Sequence, residues 1–173
     1  MKNRKIKELM LGGIFIAIGL VLPIFFHQFG LLGPIFLPMH IPVLIAGCVV
    51  SPGLALLIGL ITPFLSSVFT GMPPFFPIMP IMIIELGAYG LFTSIFYRKF
   101  RINIYLSLII SMIIGRILAG FSVYILVVLF GVKMNALLFV KGAIIKGIPG
   151  IIIQLILIPL CIYLLKKKNL IER

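Results

Sequence analysis

The feature that most constrains this chain is a recurrence of apolar runs, several close to 20 residues long, broken only by short stretches of proline, glycine or basic residues. A helix of that length crosses a hydrocarbon core of about 30 Å. The runs cover roughly residues 6–26, 43–50, 54–69, 78–97, 104–130 and 143–165. Hydrophobic residues fill 62% of the 173 positions, more than one soluble core of this size can hide. A membrane β-barrel would alternate polar and apolar residues, and the runs do not alternate. The expected fold class is an all-α integral membrane protein, a single transmembrane domain over residues 1–173 with six transmembrane helices. The N-terminal run lacks a small-residue cleavage site and is read as a retained first helix, not a signal peptide.

The basic residues set the expected orientation. Of 15 lysines and arginines, 11 fall in three segments: before the first run, in "YRKFR" after the fourth, and from Lys166 to Arg173. A net charge of +12 on a soluble protein would point to nucleic acid. Here the clustering at run ends fits the positive-inside rule, which places both termini in the cytoplasm. Six spans satisfy that parity. Four spans plus a re-entrant pair made of the short second and third runs also satisfy it, and six is favoured. The two cysteines, Cys48 and Cys161, lie in separate runs and imply neither a disulfide framework nor a metal site.

Three loops then face outward: 27–42, 70–77 and 131–142. The first two share a pattern, "GPIFLPMHIP" and "GMPPFFPIMP", rich in proline, aromatics and methionine. They read either as rigid connectors or as walls of an outward-facing pocket, where irregular backbone is tolerated at membrane depth.

The chain has three acidic residues, Glu8, Glu85 and Glu172, and only Glu85 lies well inside a run. Arg116 lies near the middle of the fifth run and Lys146 near the outer end of the sixth. Ionisable groups at such depth face protein or a watery cavity. One reading is a structural Glu85–Arg116 ion pair. The other is a polar pocket with surplus positive charge, which an anionic ligand would complete. Tyr89 shares a helix face with Glu85, and Ala119, Gly120 and Val123 share one with Arg116. His40, Asn135 and Gln154 are further polar candidates, and Phe75 and Phe76 could stack on a ligand.

No P-loop, no HExxH and no aspartate is present, so ATP hydrolysis, zinc chemistry and a Ser-His-Asp triad are excluded in those forms. The expectation is a protein that is not an enzyme and needs no cofactor or metal. An autonomous proton-coupled carrier built on Glu85, or a small membrane scaffold, is the alternative.

Two stretches, "FLPMHIPVLIAGCVVSPGLALLIGLITPFLSSVFTGMPP" and "PIMIIELGAYGLFTSIFYRK", resemble the substrate-binding S components of energy-coupling factor (ECF) vitamin transporters. The likeness runs over essentially the whole length. Ser51-Pro52 stands where that branch has glycine-proline. Gly13-x-x-x-Ala17 is similar to the family's alanine patch on the first helix, with glycine for the first alanine. The resemblance implies that Gly13 and Ala17 contact a shared transmembrane coupling subunit, that two ATPase subunits power the complex, and that toppling of the S component releases the ligand inside. It implies a small water-soluble vitamin or precursor as ligand, and the surplus positive charge favours a carboxylate such as pantothenate. The site residues expected are Glu85, Arg116, Lys146, Tyr89, Asn135, His40, Phe75 and Phe76.

Overall fold

The structure is a computed structural model that describes residues 2–28 and 33–168. Glu172 and Arg173, residues 29–32 of the first outer loop, and the side chains of Lys2 and Arg4 lie outside the described residues. Seven α-helices follow in order: α1 (Lys2–Gln28), α2 (Gly33–Phe36), α3 (His40–Val49), α4 (Pro52–Thr70), α5 (Ile78–Thr93), α6 (Ile104–Phe130) and α7 (Ala136–Lys167). A π-helical turn, Ser94–Lys99, extends α5. Five of these elements are long and apolar enough to cross a membrane, α5 being counted with its π turn, and α3 is a shorter apolar helix. A helix satisfies its own backbone groups where no water is available, which is why a chain this apolar takes that form.

The six-run reading matches this architecture with shifts at two places. The second run starts at His40 rather than 43, because Leu37 turns the backbone with φ 50° and separates α2 from α3. The loop expected over 131–142 is mostly helix. Asn135 accepts a hydrogen bond from the Leu138 N–H at 3.0 Å and starts α7 at Ala136, as an N-cap side chain does. Of the two short runs, the third is α4, long enough to cross a membrane, whereas the second is the ten-residue α3, which is not.

Glycines set the spacing of the central helices. A Cβ at Gly59 would collide with the Leu86 and Gly87 backbone, and one at Gly90 would collide with the Ala55 carbonyl. Backbones of α4 and α5 therefore touch directly, as small residues permit in lipid. Against this pair lies α3, with nine of its ten residues buried. Its end is held by the Ser94 hydroxyl, which donates to the Val50 carbonyl at 2.8 Å.

One end of the bundle is basic. The Glu8 carboxylate accepts from the Ser51 N–H at 3.0 Å and from Arg98 Nη2 at 3.1 Å, joining α1, the α3–α4 junction and the π turn. Lys166 donates to the Tyr97 hydroxyl at 2.6 Å and brings the end of α7 to the same place. All three basic segments thus reach one end.

The length of α3 shapes the other end. Ten residues rise about 15 Å, half of a hydrocarbon core. Since α3 ends beside the basic pole, its first residue sits at mid-depth, and the space beyond it is left to irregular chain.

Candidate ligand-binding site

That space holds a cavity of about 570 Å³. Its floor is His40 at the start of α3. Its walls come from Pro23 of α1, the segment Leu37–Met39, the proline loop at 72–74, Ile78 and Met82 of α5, and Leu138, Phe139, Gly142 and Ala143 of α7. The walls are apolar, and the polar groups that border it are His40, Glu85, Arg116 and Lys146. An apolar pocket with a few convergent polar groups is the ordinary form of a small-molecule site.

Side chains hold each wall. The serines at the end of α4 fix the proline loop: Ser66 donates to the Met72 carbonyl at 2.7 Å and Ser67 to the Pro73 carbonyl at 2.8 Å. The loop contains two cis peptide bonds, Met72–Pro73 and Phe76–Pro77. On the opposite side, Gly150 admits the Ile35–Phe36 backbone against α7, and Gln154 donates to the Leu37 carbonyl at 3.4 Å. Neither this pair of serines nor the role of Gln154 was anticipated from the sequence. A signal for the serines existed, since they sit in the last turn of a helix just before a loop whose prolines cannot donate.

The charged centre converges on one atom. Glu85 Oε1 accepts from Arg116 Nη1 at 2.8 Å and from the Tyr89 hydroxyl at 3.0 Å. The His40 Nε2 atom lies 3.7 Å from that same oxygen, and the His40 ring packs on Tyr89 with centroids 5.4 Å apart. Four elements meet there: α3, α5, α6 and, through Lys146 at the rim, α7. Gly115 makes the arrangement possible, because a Cβ at that position would overlap the Tyr89 ring. Both ring nitrogens of His40, and Nε and Nη2 of Arg116, are buried without a hydrogen-bond partner.

The structure brings together Glu85, Arg116, Tyr89 and His40, and places Lys146, largely exposed, at the cavity border. It does not bring in the others. Asn135 is exposed and caps α7. Phe75 and Phe76 are exposed, the second ring lying against Phe130 at 6.0 Å, and neither lines the cavity. Ala119 and Val123 pack with Ile81 in a helix contact and open no ligand space. Gly13 and Ala17 face outward on α1, and nothing stands within 4 Å of where a Cβ of Gly13 would be.

These features define a multi-pass helical membrane protein with a cavity set into one end. The model of one family, described as ECF transporter, substrate-specific component, matches residues 7–162, and the chain belongs to that family. It is thus a substrate-specific subunit of an ECF importer, a transport protein and not an enzyme. No curated protein and no solved structure gave a match.

Proposed function

We propose that the cavity is the binding site for a small, water-soluble, acidic vitamin or vitamin precursor, taken up from outside the cell. The observation that carries this reading is the charge balance of the cavity border: two cations, Arg116 and Lys146, against one carboxylate, Glu85. The apolar walls suit the body of such a ligand, and pantothenate, a carboxylate on a small hydroxylated body, is the first candidate. His40 completes the polar side, and Tyr89 lies behind it against Glu85. With the basic end inside, both termini are cytoplasmic and the cavity opens outward in a prokaryotic plasma membrane.

The energy source lies on other chains. Family membership supports assembly with a transmembrane coupling subunit and two ATPases. The outward, open face of α1 at Gly13 and Ala17 suits the coupling contact, since small residues four apart allow close helix approach.

The test is uptake of radiolabelled pantothenate by a host expressing this chain with and without the coupling subunit and ATPases. Uptake that requires the module, and that Ala143→Phe abolishes by filling the cavity, is expected. Accumulation by the lone chain under a proton gradient would sink the importer reading.

A further inference from the structure

The guanidinium of Arg116 is only half used. Glu85 takes Nη1. Nε and Nη2 have no partner, and both are buried. These two nitrogens form the side-on edge of the guanidinium, where two N–H bonds run parallel and match the two oxygens of a carboxylate. A buried donor left unmet is costly, more so on a charged group. Here the unmet pair lies along the geometry that a bidentate oxyanion fills.

One flexible side chain limits the space beside that edge. A Cβ built at Gly147 of α7 would sit 3.6 Å from Arg116 Nη2 and 3.1 Å from Leu37 Cδ1. Leu37 therefore limits the space that the glycine leaves beside the edge, and it is the residue that must shift to admit a ligand atom. Lys146, the neighbour of Gly147, stands at the same cavity border.

We infer that the unpaired Nε–Nη2 edge of Arg116 is the subsite for a ligand carboxylate, and that Glu85 is a positioning residue rather than a ligand contact. Glu85 holds the guanidinium by its other nitrogen and leaves the Nε–Nη2 edge unpaired, while Tyr89 fixes the same carboxylate oxygen of Glu85. The charge count selects the ligand class. Arg116 and Lys146 against Glu85 leave one positive charge, which one carboxylate neutralises and a doubly charged phosphate ester exceeds. The inference rests on the reading that the cavity holds the transported ligand.

The experiment uses the full chain in lipid nanodiscs. Its melting midpoint is followed with three acid and neutral pairs: pantothenate and pantothenol, nicotinate and nicotinamide, biotin and biotin amide. One acid is expected to stabilise the protein, with its neutral partner needing on the order of tenfold more for the same shift. Inorganic phosphate should not displace it. Arg116→Lys keeps the charge, loses the parallel edge and should erase the preference for the acid, while its circular dichroism reports that the helices remain. Glu85→Gln should keep the preference, because the amide oxygen still accepts from Nη1. Equal stabilisation by acid and neutral partner, an acid preference that survives Arg116→Lys, or no shift with any acid would each overturn the subsite. A neutral ligand whose binding Ala143→Phe abolishes leaves the cavity reading standing and removes only the carboxylate edge. Acid binding unaffected by Ala143→Phe removes the cavity reading itself.

Discussion

Gly115 on α6 faces the ring of Tyr89 on α5 so closely that a Cβ at position 115 would overlap it. Tyr89 is 2% exposed, and its hydroxyl reaches Glu85 at 3.0 Å. The missing methyl is therefore what allows an aromatic ring between two packed helices, and the ring in turn orients the carboxylate. Gly115→Ala should displace Tyr89, costing about 1–3 kcal/mol from overpacking and lowering affinity for the preferred ligand. A thermal melt with and without ligand reads both effects. A variant that melts like the parent and binds as well would show that the ring position is unimportant.

Asn135 offers the opposite case. Its side chain caps α7 and points to no ligand space. Asn135→Ala should cost about 1 kcal/mol, the usual value of a lost N-cap, and leave ligand affinity unchanged. Asn135→Ser should restore the stability. A large loss of affinity in Asn135→Ala, at unchanged stability, would return this residue to the site.

Much of the helical framework was legible because its signals are physical and local. Apolar length marks the crossings, and α6 begins and ends where its run does. Glu85 and Arg116 were legible as partners because isolated charges are untenable in an apolar bundle. The cavity was legible in part: a pocket walled by the first two outer loops was one of two readings, but its depth was not foreseen. It exists because α3 begins only at His40, and that break follows from a positive φ at Leu37, a conformation that a leucine does not advertise. His40 was a site candidate assigned to the first outer loop, and it stands at the cavity floor as the first residue of α3. Asn135 carried a legible cap signature, but a polar residue in a presumed loop was read as a ligand group. Phe75 and Phe76 were assigned by type, and whether a ring turns toward a cavity depends on backbone that neighbouring prolines and Ser66 and Ser67 set together.

The basic end is stapled by Glu8. Its pair with Arg98 is largely shielded, the two side chains being 17% and 15% exposed, and its carboxylate also meets the Ser51 N–H. Removing one partner takes this contact away from a shielded charge. Glu8→Gln and Arg98→Ala should each destabilise the fold, and a double-mutant cycle should give a coupling of about 0.5–3 kcal/mol. Unfolding in mixed micelles provides the measurement. Additive losses would mean that the pair contributes nothing beyond its separate contacts.

The outer face of α1 should behave independently of the cavity. Gly13 has nothing within 4 Å of its built Cβ, Ala17 is exposed, and neither borders the cavity. Gly13→Leu therefore adds bulk without disturbing packing inside the chain. It should leave the melting midpoint and ligand affinity unchanged while removing co-purification with the coupling subunit, because a leucine holds the partner helix away from a surface that small residues keep flat. Ligand-stimulated ATPase activity of the assembled complex should fall with it. Normal co-purification of Gly13→Leu would place the coupling contact on another face. Loss of ligand affinity without loss of assembly would mean that α1 acts on the cavity through Pro23, the residue by which the same helix reaches the cavity wall.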